Sequence, residues 1–491
     1  MFRSSTSKII LLLFMLVFLF KAFYLDYIPL QYDGTLYGEM IAEEAEELTF
    51  LPRYLGMWAP WKPGLYFIVY SFFLPLTSAL FNSIEWIYRS PNLLFSIVNA
   101  FLFYSIAKRF VKQEVALSAS LLFYSSYGVI YTDSRLLMET FSLVPILLSI
   151  LFYTRKEMEP TKRFLGAGIF ACIAALTKSI ISFMIIPLAL AYIFREDQKN
   201  IKNPLFLVSL LSPFLGFLLF YLALDSVGLV EEVLILDTGK FFLFNYFEDS
   251  ISNIFQGLLF FFYMFWMYIA VAFRKLASSW KKYPLFSIWI ILSLIPLLSG
   301  HPMPWHFYYI APALAFFAAV CLSSKGKMDS FSVLILAILV FSNLLVAGFY
   351  FNSVVSSGIT EEAGGREAGM LLSGKQNVLV IGYYSPSTTI VSYKMLSERR
   401  DMGRPLDFGY VICVIPEGDK MKKTEQMIAI NEIVRDYDTE KYLFEEDNFA
   451  NMFQTKKFLR KNTSIKNFDY VVVSPSYFDL VDPCYISIYE T

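Results

Sequence analysis

The sequence predicts a polytopic α-helical membrane protein with a small C-terminal α/β domain. Three observations predict it. First, the 491 residues are 56% hydrophobic and 18% aromatic but only 17% charged, with a mean hydropathy of +0.53; soluble domains hold about 45–50% apolar and about 25% charged residues. Second, apolar stretches long enough to cross about 30 Å of hydrocarbon recur along the chain. Third, the loops between them alternate in charge, as loops on opposite faces of a membrane do. The net charge of −1 hides that sidedness. No basic run with interleaved aromatics offers a nucleic-acid surface.

The apolar stretches fall at 8–24, 90–107, 114–131, 136–153, 164–194, 204–224, 256–273, 284–299, 307–323 and 331–350. The stretch 164–194 is long enough for two short spans, which makes about eleven crossings. Lys and Arg mark the cytoplasmic side: Arg3 and Lys8 before the first span, then Lys108, Arg109 and Lys112, Arg155 to Arg163, Arg195 to Lys202, Arg274 to Lys282, and Lys325 with Lys327. Segments 25–62 and 225–255 are acidic and fall outside. The first helix is read as uncleaved, because Lys21, Phe23 and Tyr24 follow its apolar core where a signal peptide has small residues.

Parity sharpens this reading. The N-terminus and the 108–112 cluster are both cytoplasmic, so an even number of crossings separates them, yet three apolar segments lie between. Segment 63–80 opens Lys62-Pro63-Gly64 and contains Pro75, which suits a juxtamembrane helix on the outer face better than a lone span. The same parity makes 164–194 a hairpin with Thr177-Lys178-Ser179 at its outer tip.

Composition shifts after residue 355. Residues 1–355 form the expected transmembrane catalytic domain, 356–376 a linker, and 377–491 an extracytoplasmic α/β domain with strands expected at 377–384, 408–416 and 468–475 and a helix at 422–437. Four cysteines make no disulfide framework. Cys172 and Cys321 are packing residues, and Cys413 with Cys484 are available for one disulfide in an oxidising compartment.

The reactive groups in or beside apolar segments share the outer side. Asp33, just past the first helix, suits a general base that deprotonates an acceptor hydroxyl or amine; a solvated carboxylate before the turn residue Gly34 is the bland alternative. The run Glu43 to Glu47 is read as a solvated face. Tyr131, Asp133, Arg135 and Glu139 cluster at the outer end of the 114–131 span. Arg135 and Glu139 are spaced to share a helix face, and an ionisable residue inside an apolar span, as Glu139 is, points to function. Lys178 suits a phosphate as a point charge. His301 and His306, both histidines of the protein, lie in one short outer loop; without a nearby carboxylate they make a weak metal site, and a divalent cation remains open.

These motifs resemble the GT-C superfamily of integral membrane glycosyltransferases, in its branch using polyprenyl-phosphate sugars, the protein O-mannosyltransferase and aminoarabinose transferase type. That branch has a first-loop catalytic Asp followed by a spaced Tyr, matched by Asp33 and Tyr37. Its Lys-Pro-Pro-Leu-Tyr segment is similar to Trp61-Lys62-Pro63-Gly64-Leu65-Tyr66, its Arg-x-Pro-Ser-like start to the next span to Arg89-Ser90-Pro91-Asn92, its Arg and acidic residue of the second outer loop to Arg135 and Glu139, and its Leu-Thr-Lys tip to Leu176-Thr177-Lys178. The chain departs from the pattern at Gly34, where an acidic residue is frequent and Glu39 is the nearest substitute, and at Gly64, where the second proline stands. The Trp-Trp-Asp-Tyr-Gly signature of oligosaccharyltransferases is absent from the tail.

The resemblance implies inverting transfer of a monosaccharide from a polyprenyl-phosphate donor to a protein, glycan or lipid acceptor at the outer face of the cell membrane. Asp33 and Glu139 are the expected catalytic carboxylates. Tyr37, Lys62, Arg135, Lys178, His301 and His306 are the expected binding residues. The alternative is a transporter or flippase of a lipid-linked or polyanionic substrate. That class shows inverted repeats and midplane sites, whereas no repeat is detectable here and the reactive groups lie at one face.

Overall fold

The computed structural model describes residues 5–30, 32–54, 57–59, 62–230, 250–294, 304–323, 326–356, 366, 368–375, 378–382, 384–402, 411–414 and 470–473. The chain is mostly helical. In order come α1 (Ser5–Tyr27), α2 (Tyr32–Glu46), a two-stranded antiparallel hairpin (β1 Arg53–Tyr54, β2 Met57–Trp58), α3 (Leu65–Leu80), α4 (Ile84–Ala107), α5 (Gln113–Ser125), α6 (Tyr127–Asp133), α7 (Met138–Thr154), α8 (Pro160–Thr177), α9 (Ser179–Ser182), α10 (Ile185–Glu196) and α11 (Pro204–Ser226). They are followed by α12 (Ser250–Trp280), α13 (Pro284–Ser293), a 3-10 helix at Pro304–Ile310, α14 (Ala311–Leu322) and α15 (Ser330–Ser356). Among the described residues five helices are long and apolar enough to cross a membrane, and the bent pair α5–α6 makes a sixth. The protein is a multi-pass membrane protein.

Two expected spans are interrupted. The stretch 114–131 bends by 54° between α5 and α6. Ser126 stands between the helices, and its hydroxyl accepts Val129 N–H at 3.3 Å to cap α6. A break at membrane depth is tolerated only where the freed backbone groups find partners. Here Asn343 of α15 accepts Tyr127 N–H at 3.2 Å, and Tyr268 of α12 donates to Leu122 O at 2.6 Å. The second interruption is at Lys178, where the backbone leaves helical geometry (φ −155°, ψ 88°). The segment 164–194 is therefore not one long tilted span: the short α9 separates two longer arms, α8 and α10. They run antiparallel: Arg163 at the start of α8 pairs with Asp197 just past the end of α10.

Helices in lipid associate by close packing and small residues at their contacts. α8 lies between α7 and α11. At Gly216 of α11 an added Cβ would stand 2.5 Å from Cys172 O of α8, so glycine is what lets these backbones approach. A large core of buried side chains from α1, α4, α5, α7, α8, α10 and α12–α15 fills the bundle. A second, smaller core of Leu36, Tyr37, Met40, Tyr66, Phe67, Tyr70 and Phe141 joins α2 and α3 to the start of α7. α3 buries Tyr66, Phe67 and Tyr70 and turns Phe72, Leu76 and Leu80 outward.

In the tail, β3 (Val378–Gly382), β4 (Val411–Val414) and β5 (Tyr470–Val473) form a parallel sheet in the order β4-β3-β5, with Leu379 opposite both Val411 and Val471. Helix α16 (Tyr384–Met402) connects β3 to β4 and packs on both. The three strands lie within the expected segments. The helix expected at 422–437, and Cys484, fall outside the described residues.

The two ends of the bundle differ in charge. At one end the loops expected in the cytoplasm meet: Arg109 pairs with Glu157 at 2.9 Å and donates to Thr154 O at 3.2 Å, Lys156 pairs with Glu196 at 3.0 Å, and Arg163 pairs with Asp197. The residues singled out for chemistry gather at the other end.

Candidate active site

Asp33 lies in the first turn of α2, where unpaired backbone N–H groups and the helix dipole favour a carboxylate. An added Cβ at Gly34 would be 3.5 Å from Leu136 Cβ, so the first turn of α2 lies directly against the α6–α7 connection. Asp33 is half-buried. Burial pushes its carboxyl above the usual range; Lys62, then Arg135 and Lys178, oppose the rise, and Glu139 adds to it. Those four side chains are therefore near enough for Asp33 to feel their charges. Tyr37, one turn along α2, is buried against Tyr66 and Phe67 at ring distances of 6.0 and 5.6 Å, and Lys62 Nζ stands 5.8 Å from its ring.

Gly64, where the family has a second proline, has a steric cause. A Cβ there would lie 1.9 Å from Phe50 O, closer than any side chain permits. The chain after α2 runs over this glycine, which seats Lys62 beside Tyr37.

Arg135 and Glu139 do not share a helix face. Leu137 is extended (φ −126°, ψ 149°) and α7 begins only at Met138. Glu139, 3% exposed, pairs instead with Lys178 at the hairpin tip. Lys178 Nζ is also 5.8 Å from the Tyr309 ring, and the Tyr309 hydroxyl is 2.6 Å from Ser142 Oγ. Arg135 lies over the Tyr131 ring at 4.0 Å, is 5.8 Å from the Trp305 ring, and donates to Tyr350 OH at 3.1 Å. Its carbonyl accepts from Asn92, which itself accepts from Tyr70. His306, in the 3-10 helix, lies near Glu139. His301 lies outside the described residues.

Asp33, Tyr37, Lys62, Arg135, Glu139, Lys178 and His306 thus come together from α2, the α2–α3 connection, the α6–α7 connection, the starts of α7 and the 3-10 helix, and the α8–α9 break. Lys178 has Glu139. Neither Lys62 nor Arg135 has a carboxylate within ion-pair distance among the described residues. Two such cations beside a carboxylate and an aromatic wall suit a phosphate next to a reacting hydroxyl. No group of three His, Cys, Asp or Glu side chains arranged for a metal occurs among the described residues.

Other carboxylates have structural partners. Glu39, the nearest substitute for an assisting carboxylate in the sequence, lies 3.4 Å from Arg399 of the tail. Burial drives its carboxyl up to about 8 against the pull of Arg399. Glu44, expected on a solvated face, is buried and accepts Thr49 N–H at 2.9 Å and its hydroxyl at 2.6 Å. Asp133 pairs with Lys21 of α1 at 2.6 Å and accepts from Thr140 at 2.8 Å, from Tyr308 at 3.2 Å and from Ser96. Lys21 was singled out only as the mark of an uncleaved helix; a lone cation inside an apolar span was the signal that it has a buried partner.

Residues 62–223 match a family model described as dolichyl-phosphate-mannose-protein mannosyltransferase. That third of the chain contains Lys62, Arg135, Glu139 and Lys178 and begins after Asp33 and Tyr37. In fold, the chain is similar to ArnT from Cupriavidus metallidurans bound to undecaprenyl phosphate, with a TM-score of 0.64 and 14% identity over 85% of this chain and 87% of that one. It is also similar to the apo state of the same ArnT, at a TM-score of 0.57 and 14% identity over 89% and 97%. No curated protein sequence matches the chain. The family model over residues 62–223 and the fold over most of the chain point the same way as the resemblance carried by the motifs.

Proposed function

We propose that this membrane glycosyltransferase moves one sugar from a polyprenyl-phosphate carrier to an acceptor on a protein, glycan or lipid, with inversion, and that Asp33 is the base. The acceptor oxygen or nitrogen attacks the anomeric carbon and gives its proton to Asp33. The bond from that carbon to the phosphate oxygen breaks, and its electron pair leaves with the polyprenyl phosphate, which gains a negative charge. Lys62, Arg135 and Lys178 face that charge as it develops, the point at which fixed cations lower a barrier most. Glu139 holds Lys178 and orients it, and Tyr37 lines the acceptor side. His306 completes the cationic rim, and His301 belongs to the same loop.

The observation that carries this reading is the pair of cations, Lys62 and Arg135, that have no carboxylate within ion-pair distance among the described residues, held beside a carboxylate whose burial raises its basicity. The bound lipid phosphate of the similar ArnT fold supports a lipid-phosphate donor. Charge sidedness supports a cytoplasmic N-terminus, a site on the extracytoplasmic face, about eleven crossings with α3 lying on that face, and an extracytoplasmic domain over 377–491 that follows a 1–355 membrane domain and a 356–376 linker. The basic end supports a cell-membrane protein with those loops inside.

The test is release of radiolabelled sugar from a panel of polyprenyl-phosphate monosaccharides by purified protein in membranes of the source cell, wild type against Asp33→Asn. General-base catalysis is worth about 10²–10⁴-fold, so loss of that size with one donor is the expected result. Full release by Asp33→Asn would move the base elsewhere. No release with any donor would sink the donor class and favour the transporter reading.

A further inference from the structure

Helix α16 of the tail lies on the elements that carry and anchor Asp33. Leu396 fits the notch at Gly38, where an added Cβ would be 3.1 Å from Leu396 Cδ1. One turn along, Arg399 lies 3.4 Å from Glu39 and also pairs with Glu46. Glu39 is wholly buried, its carboxyl oxygens accept no hydrogen bond among the described residues, and Arg399 is the cation within ion-pair distance of it.

At the other end of the same contact, the Tyr393 hydroxyl accepts Leu30 N–H and donates to Glu85 at 2.9 Å. Arg366 approaches Glu85 at 3.3 Å. One turn along α4 from Glu85, the buried Arg89 donates to Leu25 O at 3.1 Å and to the carbonyls of Ile28 and Pro29. The turn that ends three residues before Asp33 is thus held by α4 and the tail. α2 needs that support, because Gly34 and Gly38 in so short a helix weaken its intrinsic stability.

We propose that Tyr393 and Arg399 are positioning residues: the C-terminal domain sets the place of the Asp33 carboxylate by clamping α2 at its entry and along its length. This rests on the reading of Asp33 as base. A base must come within about 2.6–3.2 Å of the proton it takes, and a misplacement of about 1 Å costs about 10²-fold in rate. A docked domain acts on kcat in this way without touching the donor.

The experiment measures kcat and donor KM on the full-length protein for Asp33→Asn, Arg399→Ala, Arg399→Lys, Tyr393→Phe and the double variant Asp33→Asn with Arg399→Ala. Arg399→Ala is expected to lower kcat about tenfold or more with KM within about twofold. Tyr393→Phe lowers it less, and Arg399→Lys recovers most of the loss. In the Asp33→Asn background, Arg399→Ala costs less than about twofold, because neighbours acting through one group are not additive. Wild-type kcat in both Arg399→Ala and Tyr393→Phe overturns the proposal. So does an equal loss from Arg399→Ala in both backgrounds, which marks a role apart from the base. A wild-type rate in Asp33→Asn removes the base reading itself and is told apart by that variant alone. Should Arg399→Ala fail to fold, Tyr393→Phe and Arg399→Lys carry the same comparison.

Discussion

The two ends of the bundle use similar residues to opposite effect. At the basic end, each of Arg109, Lys156 and Arg163 has a carboxylate within reach, Arg163 with Asp197 almost fully buried. At the opposite end, Lys62 and Arg135 stand near Asp33 and Glu139, yet the only close ion pair among these residues is Glu139 with Lys178. A buried, partnered charge such as Arg163 with Asp197 fixes a fold. Incomplete pairing around a buried carboxylate keeps charge ready for something that arrives.

The comparison is open to breaking. Its largest expected effect is at the basic end: Arg163→Ala leaves Asp197 buried without a partner and should cost about 3–5 kcal/mol of stability. Thermal unfolding in detergent reads that loss, while the folded fraction keeps its kcat. By contrast Lys156→Ala, whose pair is roughly half exposed, should cost under about 1 kcal/mol. A change in kcat from Arg163→Ala would end the division between the two ends.

Next in size is Arg135→Ala. Loss of one preorganised positive group facing the leaving phosphate should lower kcat about 10²-fold, with little change in unfolding temperature. A stability loss without a rate loss would make Arg135 a helix anchor held by Tyr131 and Tyr350.

The smallest effect concerns pH. The Asp33 carboxyl is raised by burial and held down chiefly by Lys62. A base works deprotonated, so activity should appear as pH climbs through that raised value. Lys62→Met removes the opposing charge and should move the acid limb of kcat/KM to higher pH. An unmoved limb would mean that the titrating group is not Asp33.

Much of this was legible in the sequence because charge sidedness is a global property of short loops. Parity required a break at Lys178, and the backbone leaves the helix there. Asp33, Lys62 and Lys178 carry their position in the order of loops, so their convergence needed no knowledge of packing. The pairing of Arg135 with Glu139 was misread because four-residue spacing binds two side chains only inside one helix, and the extended Leu137 starts the helix after Arg135. Helix α16 escaped notice because its sequence, rich in Ser, Thr and charged residues, has little apolar periodicity to mark it. Its partners in α2 lie some 350 residues away, Arg399 reaching Glu46 across 353 positions. The partner of Lys21 was hidden for the same reason.

That last pair bears on how the chain is made. Lys21 enters the membrane with the first helix, and its counter-charge Asp133 is synthesised 112 residues later. Until then the ammonium sits near the C-terminal end of an otherwise apolar segment, where a long lysine stem can reach toward the headgroups. Arrival of the α6 segment gives it Asp133 and, through Asp133, Thr140 and Tyr308. The buried charge of the first helix is therefore matched only when α6 joins the bundle, by a partner that the nascent chain does not yet hold.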